Sequence, residues 1–193
     1  MIERAGVAAV GNTTDEARFA ALYRRHYRPV RDYCRRRLGG DLVDDAVAET
    51  FLAVWHRIDE VPTGDEALLW IYSVAYRVIG HQWRTMTRRR RLEDRLRTQR
   101  SRHVPAADEL ATDDAEYHLV RAATAQLADN DAEVLRLAAW ERLSTDAIAA
   151  ILGIEPNAVK QRLHRARQHL ARHYRRLASQ PNPSSAVSTG GIR

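Results

Sequence analysis

The segment "LSTDAIAAILGIEPNAVKQRLHRARQHL", residues 143–170, carries two helical patterns separated by a short turn. The hydroxyl pair at positions 144–145 can cap the first helix, and Gly153 stands where a left-handed residue ends it. Ala149 permits a close helix crossing, Gly153 follows four residues later, and Val159 comes six residues after that. This spacing is typical of a helix-turn-helix.

The second helix of this motif separates apolar from polar side chains. Its inward stripe is predicted to hold Val159, Leu163, Ala166 and Leu170, and its other faces hold Asn157, Lys160, Gln161, His164, Arg165 and Arg167. Amide and basic side chains near a helix N-terminus suit the base edges and phosphates of a DNA major groove. A solvated amphipathic pair is the alternative, and the absence of acids from Lys160 to Arg176 weakens it.

The rest of the chain also has helical periodicity. Only nine glycines occur, and apolar positions recur at intervals of three and four rather than two. The prediction is an all-α protein of two small helical domains joined by a flexible linker. Helices are expected at about 15–38, 42–59, 65–91, 114–128, 131–141, 144–152 and 156–177.

Composition sets the domain boundaries. Residues 98–113 show little periodicity and mixed charge around a proline, which predicts a linker, and residues 178–193 are rich in Ser, Pro and Gly, which predicts a disordered tail. We therefore expect a flexible N-terminus, a first domain, the linker, a helix-turn-helix domain and the tail, at 1–14, 15–97, 98–113, 114–177 and 178–193.

Several classes of function are disfavoured by composition. The chain has one cysteine, no Gly-rich phosphate loop and no nucleophile motif, and His169 with His173 supplies only two potential metal ligands. No catalytic residue, metal or cofactor is therefore expected. A signal-peptide core and an apolar run of about 18 residues are also missing, so we expect a cytoplasmic protein without membrane insertion.

The predicted second helix has two unlike faces. One is apolar and carries Val43, Val47, Phe51, Val54 and Ile58. The opposite face carries Asp45, Glu49 and His56, with Leu52 and Trp55 close by. Apolar side chains among carboxylates favour a protein-docking surface, whereas simple solvation with Trp55 buried at the edge is the alternative. The acidity disfavours DNA as the partner of this face.

The predicted third helix ends in four consecutive arginines, residues 88–91. Its expected inner face holds Ala67, Ile71, Val74, Ala75 and Val78, and a polar stripe holds Ser73, Arg77, Gly80, His81, Arg84 and Arg88. At the border lie Tyr72, Tyr76 and Trp83. Aromatic rings beside arginines can stack on unpaired bases of single-stranded nucleic acid, although aromatic residues at helical spacing are also common in cores.

Three runs of the sequence together resemble a known family. They are "DDAVAETFLAVW" (44–55), "LLWIYSVAYRVIGHQWR" (68–84) and "LRLAAWERLSTDAIAAILGIEPNAVKQRLHRAR" (135–167). Across about residues 18–175 the chain resembles bacterial sigma factors of the extracytoplasmic-function group. The resemblance implies that the first domain docks on the RNA polymerase clamp and melts the promoter's minus ten element, and that the second reads the minus thirty-five element. It further implies contact with the polymerase flap and control by an anti-sigma factor.

The resemblance also implies roles for individual positions. Polymerase binding falls to Asp45, Glu49, Leu52 and Trp55. Binding of minus ten DNA falls to Pro62, Thr63, Gly64, Tyr72, Tyr76, Arg77, His81, Arg84 and Arg88. Binding of minus thirty-five DNA falls to Asn157, Lys160, Gln161, His164 and Arg165. The sequence departs from the family's usual pattern at Ala48, Ala67 and Arg77, where a glutamine, an aromatic residue and an asparagine are common.

A stand-alone helix-turn-helix regulator is the alternative function. It accounts for only the last third of the chain. Such a regulator usually reads paired half-sites as a symmetric dimer, and the sequence shows no heptad repeat that would predict a dimer helix.

Overall fold

The computed structural model describes residues 3–96 and 115–179, and every regular element in these two ranges is helical. The predicted all-α class is confirmed. The helices are α1 (Glu3–Arg35), α2 (Leu42–His56), α3 (Glu66–Leu96), α4 (Ala115–Thr124), α5 (Asp129–Ala139), α6 (Thr145–Leu152) and α7 (Pro156–Ala178), with a 3-10 turn at Ile58–Glu60 between α2 and α3. The expected linker, 98–113, and the tail beyond residue 179 lie outside the described residues.

The first helix starts earlier than periodicity predicted. It begins at Glu3 instead of about residue 15. Alanine is the residue most favourable to a helix, and the segment from residue 5 to residue 9 contains three alanines. No proline interrupts the chain before Pro29, so no residue forces the helix to end within the segment expected to be flexible, although Gly6 and Gly11 are poor helix formers.

The chain divides into two compact units, one built on α1, α2 and α3 and the other on α4, α5 and α7. In the first unit, α3 packs against both α1 and α2. The predicted apolar face of α2 is confirmed, because all five of its members are buried, although the last of them, Ile58, lies in the 3-10 turn that follows α2. On α3, Ala67, Ile71, Val74 and Ala75 are buried as predicted, whereas Ile79 is buried in place of the half-buried Val78.

The second unit places α7 against α4 and α5. Three members of the predicted stripe of α7 are buried, namely Val159, Leu163 and Ala166, and Leu170 is half-buried. The turn between α6 and α7 has the predicted form, since Gly153 has a φ of 65°. Ser144 is the residue that caps α6, because its Oγ accepts a hydrogen bond from the Ala147 N–H at 3.2 Å.

None of the described helices combines the length and the apolar character needed to cross a bilayer.

One cysteine, Cys34, lies in the core of the first unit. Burial raises the pKa of its thiol to about 12, against a smaller opposing effect of Arg37. The thiol therefore remains protonated and unreactive at neutral pH.

Candidate functional site

The outer face of α2 exposes an apolar side chain among carboxylates. Asp45 and Glu49 are exposed, and Leu52 is 56% exposed. Trp55 is only half-buried, since its ring packs edge-on against Phe19 of α1 with the centroids 5.3 Å apart. This acidic face, defined by these four α2 residues, presents an apolar centre and an acidic rim to solvent. That arrangement suits a protein partner better than water alone.

A groove between α1 and α2 extends the acidic face, and the sequence reasoning missed it. It is open, has a volume of about 420 Å³, and is lined by Tyr23, Tyr27, Arg31, Asp44, Val47 and Ala48. Phe19 and the two tyrosines form a ladder of rings along α1, with centroids 6.1 Å and 5.1 Å apart. The signal was the spacing of four residues between these aromatics, which places them on one face of a helix.

The loop between the 3-10 turn and α3 exposes its tip. Val61 is buried and Pro62 half-buried, whereas Thr63 and Gly64 are exposed. Gly64 has a φ of 68°, which residues with a side chain rarely adopt. A backbone that turns at glycine lets a flat ligand approach the tip closely.

Trp70 lies in the first turns of α3 and contacts Arg57, the residue that precedes the 3-10 turn. The Arg57 guanidinium lies over the Trp70 ring, 5.1 Å from its centroid. Arg57 also donates hydrogen bonds to the Glu60 carboxylate within the 3-10 turn. These hydrogen bonds lower the pKa of the Glu60 carboxyl. Trp70 thus holds the turn that leads into the exposed loop.

Three of the six residues predicted to form the polar stripe of α3 are exposed, and Gly80 is half-buried. Arg77, His81 and Arg84 are exposed at intervals of four and three residues, so they share one face, and Tyr76 is half-buried beside them. Arg88 belongs to α3, but its side chain lies outside the described residues. The described part of the stripe combines two arginines and a histidine with two half-buried aromatic rings at its border, Tyr76 and Trp83.

Tyr72 is a correction to the predicted site. Its side chain is 5% exposed, and its ring stacks on that of the fully buried Tyr33, with the centroids 4.8 Å apart and the planes 26° apart. A base cannot stack on a ring that α1 already covers. Ser73, also assigned to the polar stripe, is buried and donates a hydrogen bond to the Trp70 carbonyl oxygen at 2.7 Å.

The second unit exposes the N-terminal half of α7. Asn157, Lys160, Gln161 and His164 are all exposed, at positions that share one face of the helix. Arg165 differs from these four, because its Nη2 lies 3.7 Å from Oδ1 of Asp131 on α5, and the side chain of Asp131 is only 11% exposed. Asp131 of α5 thus neutralises part of the positive charge of α7.

Comparison with known proteins places both units in one family. Residues 22–91 match the family model for sigma-70 region 2, and residues 117–170 match the model for sigma-70, region 4. Each match contains one of the two basic surfaces described above.

Individual relatives agree with these matches. The chain is 29% identical over 135 residues to the ECF RNA polymerase sigma factor EcfG of Rhodopseudomonas palustris, which covers 68% of this chain and 70% of that protein. It is 29% identical over 140 residues to the RNA polymerase sigma factor CnrH of Cupriavidus metallidurans, covering 67% and 71%. The fold is similar to that of the sigma factor RpoE of Bartonella quintana, solved with the anti-sigma factor NepR, with a TM-score of 0.64, 20% identity, and coverage of 84% and 98%.

Proposed function

This chain belongs to the extracytoplasmic-function group of the sigma-70 family, and from that membership we propose that it is a promoter-specificity subunit of RNA polymerase. In this proposal it binds the core enzyme, recognises the minus thirty-five and minus ten elements, and promotes melting of the DNA. The role requires no catalytic residue, metal or cofactor of its own.

The observation that carries the proposal is the pairing of two unlike surfaces in the first unit. The acidic face of α2 exposes Asp45 and Glu49, while the stripe of α3 exposes Arg77, His81 and Arg84. DNA repels carboxylates and attracts arginines, so only the stripe suits DNA. The acidic face suits a protein with basic groups, and we assign it to the polymerase clamp. A regulator that bound DNA alone would have no use for it.

We assign capture of the melted minus ten strand to the exposed loop and the stripe together. The loop tip, Pro62 to Gly64, would receive an unstacked base, and Tyr76 would stack on its neighbour. The arginines at 77 and 84, with His81, would follow the phosphates, and Arg88 would continue this path. Arg77 stands where the family commonly has asparagine, which favours phosphate contact over base contact at this position.

We assign recognition of the minus thirty-five duplex to the exposed face of α7. Lys160 would pair with a phosphate or with guanine, and Asn157, Gln161 and His164 can hydrogen-bond base edges in the major groove. Arg165 lies at the edge of this face and shares its charge with Asp131. Its contact with DNA is therefore expected to be weaker than that of Lys160.

The partners follow from this division of labour. Core polymerase would be contacted by the first unit at the clamp and by the second unit at the flap. Each unit alone offers few contacts to DNA, so the free protein should bind promoters weakly until polymerase fixes the distance between them. An anti-sigma factor is a further expected partner, since the similar RpoE fold was solved with the anti-sigma factor NepR. The protein would act in the cytoplasm, where polymerase and chromosome meet.

The direct test is run-off transcription. Purified protein added to core polymerase should start transcription from a subset of genomic fragments, and core polymerase alone should not. Tight, specific binding to a palindromic operator without polymerase would instead favour the stand-alone regulator. The first outcome requires polymerase, and the second occurs without it.

A second test separates the two DNA surfaces. Lys160→Ala should weaken binding to minus thirty-five duplex and reduce the slope of log affinity against log salt by about 0.9, the value for one phosphate contact. Tyr76→Ala should spare duplex binding and impair strand opening. Arg172→Ala removes a similar exposed charge further along α7 and serves as the matched control. Equal losses for all three variants in both assays would contradict the division of labour.

A further inference from the structure

Two arginines of α1 reach across to the exposed loop. The Arg18 guanidinium donates a hydrogen bond through Nη2 to the carbonyl oxygen of Val61, and Arg25 Nη2 lies 3.1 Å from Oδ1 of Asp65. Each contact joins residues at least 40 positions apart in sequence. The loop is therefore held by a helix that is not adjacent to it in the chain.

The two contacts are made from the same face of α1. Arg18 and Arg25 are seven residues apart, so they lie on the same face, about 10 Å apart along the helix axis. Their partners are the first residue of the loop, Val61, and a residue next to the start of α3, Asp65. The two arginines thus hold both ends of the loop and leave the tip at Gly64 exposed between them.

The two contacts differ in strength. Val61 is 2% exposed and Arg18 is half-buried, so this charge-assisted hydrogen bond is partly shielded from water and salt. The Arg25–Asp65 pair is exposed on both sides, with side chains 64% and 100% accessible, and such pairs contribute little to stability. Arg25 has a second effect, because its charge offsets an acid that stands beside the surface proposed to bind DNA.

We propose that Arg18 is a positioning residue for promoter opening. By holding the Val61 carbonyl, it fixes the backbone from which Pro62, Thr63 and Gly64 project, so that the loop tip is formed before the DNA strand arrives. Arg25 holds the other end of the loop through its weaker, salt-sensitive ion pair with Asp65. The inference rests on the proposed function of the loop, but it gives Arg18 no contact with DNA.

The test uses holoenzyme assembled from core polymerase and the full chain. Its affinity is measured for a single-stranded minus ten oligonucleotide, intact or with one base at a time replaced by an abasic site. Wild-type holoenzyme should prefer the intact strand at the position whose base the loop receives. Arg18→Met should lower affinity for the intact strand about 10-fold, as expected for loss of one ordering hydrogen bond, and leave affinity for that abasic strand unchanged.

Controls separate positioning from charge and from folding. Arg24→Met removes the same charge from an exposed position of α1 and should change neither affinity nor base preference. Arg18→Lys retains a donor and the charge, so it should recover part of the preference and remains informative if Arg18→Met folds poorly. Far-ultraviolet circular dichroism and binding to minus thirty-five duplex should be unchanged in all three variants.

Two results would overturn the inference. If Arg18→Met lowers affinity for intact and abasic strands equally and flattens the salt dependence, then Arg18 touches the phosphates directly. If Arg18→Met keeps the full preference for the intact strand, the loop does not need the hydrogen bond from Arg18. Failure of the proposed function would look different, because wild-type holoenzyme itself would then show no preference between intact and abasic strands.

Discussion

Tyr72 and Tyr76 lie one turn apart on α3, and alanine substitution should affect them in opposite ways. Tyr72 is 5% exposed and stacked on Tyr33. Truncation of a buried aromatic side chain costs about 3–5 kcal/mol, of which the ring pair accounts for about 0.5–1.5 kcal/mol. Tyr76 is half-buried at the edge of the stripe, so its truncation should cost roughly 1 kcal/mol.

Urea unfolding measures the difference. With a denaturant dependence of about 2 kcal/mol per molar, Tyr72→Ala should lower the unfolding midpoint by about 1.5–2.5 M, and Tyr76→Ala by about 0.5 M. Of the four tryptophans, only Trp140 lies in the second unit, and it is 51% exposed. A Trp140→Phe background therefore lets fluorescence report on the first unit with little disturbance.

Tyr72→Phe keeps the stacked ring and is the matched control. It should retain most of the stability, at a cost of no more than about 1 kcal/mol. The reasoning would be refuted if Tyr72→Ala left the midpoint within about 0.5 M of the parent and selectively impaired strand opening. That result would mean that the Tyr72 ring acts on DNA instead of packing in the core.

Four further predictions test other parts of the structure. Leu52→Ala should change fold stability by less than about 0.5 kcal/mol, because Leu52 is exposed, while core polymerase affinity, measured by fluorescence anisotropy, falls about 10-fold. Gly153→Ala should destabilise the fold by about 1–2 kcal/mol in urea unfolding, since its φ is positive although no atom lies within 4 Å of an added Cβ. Asp131→Asn should free Arg165, raise minus thirty-five duplex affinity and steepen its salt slope by up to about 0.9, with no gain when Arg165→Ala is added. Burial, and to a smaller extent the charge of Arg25, lowers the pKa of His26, so the unfolded chain binds a proton more readily than the folded one. The free energy of unfolding should therefore be constant above about pH 6.5 and fall below it. His26→Leu should reduce this pH dependence, as measured by unfolding curves at several pH values.

Features that depend on neighbours in the chain were predictable from the sequence. The turn at Gly153 follows from a local backbone preference, and the apolar stripe of α7 follows from the period of the helix. The exposure of Lys160 and Gln161 follows from the same period, since positions opposite a buried stripe face solvent. Two helical units and most of the proposed polar surfaces could thus be assigned without coordinates.

Residues at the border of a helix could not be assigned in this way. A helical wheel places Tyr72 and Tyr76 on the same border, with Tyr72 about 40° further from the polar stripe, and it does not show how far across this border α1 extends. The structure covers Tyr72 with Tyr33 and leaves Tyr76 half-exposed. The groove lined by Tyr23 and Tyr27 could not be predicted for the same reason, because residues of a second helix, α2, form its other side.

The sequence by itself determined the helical class, the helix-turn-helix and the alternation of acidic and basic surfaces, because backbone preference and side-chain periodicity act over a few residues. Only the tertiary structure decided that Asp131 neutralises Arg165 and that Arg18 holds the Val61 carbonyl. Those contacts join residues tens of positions apart, and whether they form depends on how the helices pack against one another.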